Sequence, residues 1–346
     1  MKQLLFFAAG IILFQSCNSD DNGTDAPLGS YDNGILVLNE GGTGEITYIS
    51  NDFNTVQQDV FASVNGDADD LGSYAQSMFF DGDRAFVISN GSNKITVVNR
   101  YTMEYLATIA TGLNVPRYGV AVDGKAYVTN SASFADSSDD FVTVINLNNL
   151  SVEAPIHVNT YAEKILAHNG KVYVAGGFYG VGDKITIINT ASQSVEGSIT
   201  TGQAPGSFEA VDNTLYVLCG SYTENSKLVR INLANNSIIN QVALPETMPN
   251  ASNLDVDNGN IYFTVASNIY KVAADAQIIS DTPFINTESQ SSYIGYGFAV
   301  RNGKIYISEA AEDFSSDGKI FVYSTSGDLL KEVGTGLGPN GFYFND

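Results

Sequence analysis

Asp123-Gly124-Lys125-Ala126-Tyr127-Val128-Thr129-Asn130 is a turn pair followed by an apolar strand with an aromatic residue at its third position. An Asp-Gly pair readily adopts the positive φ values of a two-residue hairpin, so an antiparallel strand is expected on its N-terminal side. The same strand returns at 34–39, 84–89, 171–176, 214–219, 260–265 and 304–309, making seven copies. Taking Leu36, Phe86, Tyr127, Tyr173, Tyr216, Tyr262 and Tyr306 as anchors, the copies are spaced by 41 to 50 residues. That is the period of one β-propeller blade.

Working outward from each anchor completes a four-strand cassette. An apolar strand precedes it, as in Tyr118–Val122, Phe208–Val211 and Gly297–Val300, across links such as Asp81-Gly82, Asp123-Gly124, Asn169-Gly170 and Asn302-Gly303. A third strand follows, as in Lys94–Val98, Lys184–Asn189 and Lys227–Asn232. It ends in polar tetrads such as Asn189-Thr-Ala-Ser192, which reverse the chain. A fourth strand then leaves, as in Tyr105–Ala110 and Val195–Thr200. No long periodic helix separates the strands after residue 17, which argues against a parallel α/β fold.

The two ends of the repeat array are complementary. The segment 336–344 reads as an inner strand with no outer strands after it, while Gly34–Leu38 lacks an inner partner. Pairing them removes an unsatisfied sheet edge. The expected fold is therefore all-β: a seven-bladed β-propeller of four-stranded antiparallel blades over residues 31–346, closed by the C-terminal strand in blade one.

Composition narrows the function classes. The chain carries 38 acidic against 16 basic residues, a formal net charge of −22. Such a surface repels nucleic-acid phosphates and anionic lipid headgroups. Membrane contact is expected through the N-terminus alone. Lys2 and the apolar run Leu4–Phe14 match a signal-peptide core, too short for an ordinary spanning helix. Leu13-Phe14-Gln15-Ser16-Cys17 resembles the lipobox of bacterial lipoproteins, which implies cleavage after residue 16 and lipidation of Cys17. A plain signal peptide is the alternative. The polar, acidic stretch after Cys17 reads as a flexible tether over 17–30. Its early acidic residues resemble the surface-export signal of Bacteroidota lipoproteins. That implies an outer-membrane, lipid-anchored protein facing the cell exterior, with a periplasm-facing anchor as the alternative. Cys219, at the end of an apolar strand, reads as a small buried side chain.

Tyr127-Val128-Thr129-Asn130 also matches the signature of the YVTN family of β-propeller repeats, and Pro116, Pro205 and Pro339 ahead of inner strands resemble that family. The likeness covers about residues 31–346, with one copy keeping the full signature. Together with the leader, the chain resembles YVTN-type surface lipoproteins of Bacteroidota. One branch of those captures cobalamin and passes it to a TonB-dependent outer-membrane transporter. The resemblance implies a cobalamin ligand and such a partner at family level only.

Recognition is expected on the ring face that carries the second-to-third loops and the blade crossings, because these vary in length while the opposite turns are uniform. Those loops and their edges hold Tyr74, Arg117, Tyr118, Phe134, Tyr161, Phe178, Tyr179, Tyr222, Tyr293, Tyr296 and Phe314. Aromatic rings there can stack on a planar ligand, line a protein interface, or fold inward to close the blades. Arg117 is one of five arginines. It can meet a ligand carboxylate, phosphate or amide, or form an internal salt bridge.

Catalytic constellations are indistinct. His157 and His168 are the two histidines, and no G-x-S-x-G elbow occurs. The glycine-rich stretch 176–182 lacks the Lys-Ser/Thr and helix of a phosphate loop. The acidic clusters 67–70, 136–140 and 312–317 are possible Ca²⁺ ligands without EF-hand spacing, and a solvated acidic loop is their default reading. No cofactor is required on this reading. The expected function is a non-catalytic surface protein that binds a small nutrient, with a protein-interaction module of an outer-membrane complex and an extracytoplasmic lyase or hydrolase as alternatives. The lyase or hydrolase reading needs two carboxylates, or a carboxylate and a tyrosine, converging in a concave pocket on the loop face.

Overall fold

The computed structural model describes residues 27–66, 70–177 and 180–346. The leader, Cys17, most of the tether, residues 67–69, and Phe178 and Tyr179 lie outside the described residues. Seven four-stranded antiparallel sheets are arranged as seven blades. The anchor strands Gly34–Asn39, Arg84–Ser89, Lys125–Asn130, Lys171–Ala175, Thr214–Cys219, Asn260–Val265 and Lys304–Glu309 are each second from the centre. They are buried on both faces because each blade is sandwiched between its neighbours. Gly34–Asn39 is buried at every position, whereas the outer strand Ser194–Thr200 is largely exposed.

The hairpin reading holds at the backbone. Asp123 has φ 53° and Gly124 φ 73°, and Val122 pairs with Lys125 across the turn. In blade two the turn residues are Gly82 and Asp83, one position later than expected, because Asp81 pairs with Arg84. The third-to-fourth turns of blades two to five each begin with an asparagine that accepts a backbone N–H. Asn99 and Asn189 each accept two backbone N–H groups two and three residues ahead. The side-chain oxygen thereby takes the place of a backbone acceptor and starts the reversal.

Neighbouring blades pack by interdigitation. Phe86, Ile88 and Val97 of blade two share a cluster with Ala126, Val128 and Ile145 of blade three. Gly119 permits this approach, since a Cβ there would lie 2.4 Å from the Phe79 ring. The C-terminal strand Pro339–Asn345 pairs antiparallel with Gly34–Asn39, in the register Ile35 to Phe344 and Val37 to Phe342. Closure is clamped by Arg100, which donates to the Phe344 carbonyl (2.9 Å) and to the Asn345 side chain and lies over the Phe80 ring at 3.8 Å.

Two features depart from the sequence reading. A six-residue helix, Val60–Asn65, fills the crossing from blade one to blade two, capped by Asp59 and buried through Val60 and Phe61. It is too short to carry a periodic signal. The outer strands Val56–Gln57, Ile156–His157 and Ile285–Asn286 are two residues long, so blades one, three and six have ragged rims. Among the described residues no helix is long and apolar enough to cross a membrane.

Candidate functional site

The inner strands do not run regularly to the loop face. Register shifts fall between Ala75 and Ser77, Pro116 and Gly119, Pro205 and Ser207, Ser252 and Asp255, Ile294 and Phe298, and opposite Leu38 and Asn39 in blade one. In blade four, Ala175 bonds both Glu163 and Lys164, the same two-against-one arrangement. Every blade therefore bulges at the same level. A β-bulge bends its strand and re-aims the extra side chain. Here the bulges deliver Gln76, Arg117, Tyr118, Lys164, Asn253, Tyr296 and Asn340 to the mouth of the central channel, where they line a bowl of about 770 Å³.

The bowl is mostly polar, and its parts are cross-braced. Arg117 donates two hydrogen bonds to Glu163, from Nε to Oε2 (2.8 Å) and from Nη2 to Oε1 (2.7 Å). Its Nη1 also donates to Gln76 Oε1, which accepts from Asn90 Nδ2 (2.9 Å) as well, and Gln76 Nε2 donates to the Tyr118 hydroxyl (3.1 Å). Asn340 donates to the Ala75 carbonyl (2.8 Å), joining blade one to blade two. Behind Glu163, Asp140 is fully buried and accepts from the Ala162 N–H (2.7 Å), and burial pushes its carboxyl up to about 7. Across the bowl, the Tyr296 hydroxyl donates to Glu40. The lysine Lys164 lies over the Tyr118 ring at 4.0 Å.

Of the residues anticipated from the sequence, Tyr74, Arg117, Tyr118, Phe134 and Tyr296 line this bowl. Arg117 takes the internal-salt-bridge alternative and is 8 % exposed. Tyr222 lines an adjoining cavity of about 290 Å³. Tyr293 and Phe314 stand behind Tyr296, with Phe314 edge-on to both rings at 4.6 and 5.5 Å. Tyr161 is half-buried in the crossing before Glu163 and lines neither cavity. Phe178 and Tyr179 lie outside the described residues.

Sequence reasoning missed Glu40, Gln76, Asn90, Lys164, Asn253 and Asn340. A partial signal was present, since the bulge residue directly follows Pro116, Pro205 and Pro339 in blades three, five and one.

A carboxylate and a tyrosine converge in the bowl, Glu40 with Tyr296. Among the described residues no group of three His, Cys, Asp or Glu side chains is placed to hold a metal ion. Asp136 and Asp313 instead accept backbone N–H groups within their own loops. Cys219 is buried and free, and burial pushes its thiol up to about 11, far from a reactive thiolate at neutral pH.

Comparison with solved structures agrees on the fold. A protein of unknown function from Desulfotomaculum acetoxidans is similar with a TM-score of 0.68 at 12 % identity, over 90 % of this chain and 98 % of that one. Kuenenia stuttgartiensis hydrazine synthase is similar at 0.62 and 17 % identity, over 75 % and 86 %. BamB from Moraxella catarrhalis is similar at 0.56 and 12 % identity, over 89 % and 84 %. At these identities the likeness is one of fold. No curated protein matches the sequence. A family model does, across residues 33–344 and so across the whole propeller, and the chain accordingly belongs to the family described as a domain of unknown function, DUF5074.

Proposed function

We propose that this protein is a non-catalytic recognition module that works through its loop face. The observation that carries the reading is the ring of bulges, which converts a regular propeller mouth into a bowl lined by amides, hydroxyls and aromatic rings. Rigid strands position these groups, and cross-bracing holds them in place before any ligand arrives, which lowers the cost of binding. Amides and ring faces together suit a polar ligand with a flat ring, held partly open to solvent. A corrinoid such as cobalamin, with its amide-fringed macrocycle, is the specific candidate, drawn from the YVTN and leader resemblances. On the same basis the protein is lipid-anchored at Cys17 on the outer face of the outer membrane and delivers its ligand to a TonB-dependent transporter. Calorimetric titration of the purified propeller with cyanocobalamin tests the candidate, and absence of heat with excess ligand over micromolar protein removes it.

A second reading, a protein-interaction module of an outer-membrane complex, is favoured by the rim. Tyr74, Phe134 and Tyr222 are 53 %, 52 % and 65 % exposed on the loop face, and such rings are common interface anchors. Affinity capture from detergent-solubilised membranes with the lipid anchor intact separates the readings. A stoichiometric protein partner lost in a Tyr74→Ser, Phe134→Ser variant supports the interaction module. Recovery of the protein alone counts against it.

An extracytoplasmic lyase or hydrolase would draw on the Tyr296–Glu40 pair. Turnover of a carbohydrate or peptide panel that disappears in Tyr296→Phe would replace the non-catalytic reading.

A further inference from the structure

The bowl and the adjoining cavity are not separate. Lys164, Asn253 and Phe298 line both, so the two volumes meet in a seam where blades four, six and seven face the central channel. Lys164 stands at that seam, half-buried, and among the described residues its ammonium has no hydrogen bond or ion pair. It lies over the face of the Tyr118 ring, 4.0 Å away. The cation beside it, Arg117, is different: both edges of its guanidinium that reach Glu163 are spent on that carboxylate. Glu163 in turn is the acid next to Lys164 in sequence, and it is neutralised by Arg117 rather than by Lys164.

In a chain with net charge −22, this ammonium rests on an aromatic face in a cavity wall, and among the described residues no carboxylate pairs with it. The surrounding acidic surface acts only over about a Debye length, roughly 8 Å at physiological salt, so the local pairing dominates at the seam. Asn253 presents a fixed amide at the same seam. It holds a left-handed backbone conformation (φ 61°) at the bulge, and its side-chain amide is fixed by donation to Thr264 Oγ1 (3.1 Å) and the Gly295 carbonyl (2.7 Å).

We propose that Lys164 forms an anion subsite, so that the joined cavities take an extended ligand with a carboxylate or phosphate at the seam and its ring over the bowl. This rests on the ligand-binding reading of the loop face and names the class of ligand. The two halves of the ligand are recognised differently. The seam supplies charge, and the bowl supplies amides and aromatic faces.

The test uses the whole propeller with its lysines reductively ¹³C-dimethylated, which keeps their charge. The Lys164 methyl resonance is assigned by its disappearance in Lys164→Gln. Inorganic phosphate and acetate are titrated separately at constant ionic strength, which distinguishes the two anion classes. The expected result is a saturable shift of the Lys164 signal at millimolar anion, while the exposed Lys331 shifts linearly. A Lys164 signal that stays still, or tracks Lys331, overturns the subsite. A saturable shift with no binding of any ring-containing ligand leaves the subsite standing and removes the ligand-capture reading, so the two failures are distinguishable.

Discussion

The guanidinium of Arg117 lies edge-on to the carboxylate of Glu163 through two hydrogen bonds of 2.8 and 2.7 Å, tying the bulge of blade three to that of blade four. Both residues are more than nine-tenths buried. Removing one partner strands the other charge, and for a buried pair that costs about 3–5 kcal/mol. Arg117→Met is expected to lower the urea midpoint accordingly, and the double variant Arg117→Met, Glu163→Met to recover most of the loss. A double-variant loss equal to the sum of the Arg117→Met and Glu163→Met losses would show that the pair is not coupled.

A pair of buried carboxylates, Glu209 and Asp255, makes stability depend on pH. Glu209 accepts from the Val256 N–H and Asp255 accepts from the Val300 N–H, each reaching from its own inner strand to the next blade. Burial is the main cause that raises both carboxyls above their ordinary range, and the Asp255 charge raises Glu209 further. The folded protein therefore holds a proton that the unfolded chain releases in the mid-4s. Stability from this pair falls as pH rises from there to about 8 and levels off above. The total is on the order of a few kcal/mol. Thermal melts from pH 4 to pH 9 should show this decline, and Glu209→Gln should flatten it. An unchanged slope in that variant would assign the decline to other groups.

Ring closure gives a third expectation. Asn345 is fully buried and donates to the carbonyls of Tyr31 (2.6 Å) and Arg100 (2.7 Å). Asn345→Ala leaves two buried acceptors unmet and should cost ~1–3 kcal/mol. Deleting residues 336–346 goes further, because it uncovers the edge of Gly34–Asn39, which is buried along its whole length. Calorimetry should then show loss of the single cooperative transition, and gel filtration should show self-association through the bare edge. A truncated protein that melts as a monomer near the parent temperature would contradict closure.

The anchor is tested in the cell. Cys17→Ser should move the protein from the membrane fraction to a soluble one, and protease added to intact cells should degrade only the anchored, outward-facing form. Retention of Cys17→Ser in membranes would point to a partner rather than a lipid.

Much of the architecture was legible because a blade is a local object. The Asp123-Gly124 turn, the apolar anchor around Tyr127 and the asparagines that open the outer turns of blades two to five all act within a few residues, and their equivalents recur at a nearly constant spacing. The helix Val60–Asn65 and the two-residue outer strands escaped notice because they are shorter than any period. The site was legible only in part. Tyr118, Phe134 and Tyr296 were conspicuous as aromatic residues in variable loops, whereas Gln76, Lys164, Asn253 and Asn340 are ordinary polar residues at strand starts.

The sequence by itself determined the number of blades, their strand order and the pairing of the two chain ends, because hydrophobic alternation and turn chemistry are read from neighbours along the chain. Only the tertiary structure decided that seven bulges stand at one level and face one another, that Arg117 is spent on Glu163, and that Lys164 is not. Those relationships join residues from different blades, separated by whole repeats in the chain, and no local pattern encodes which side chains a closed ring brings together.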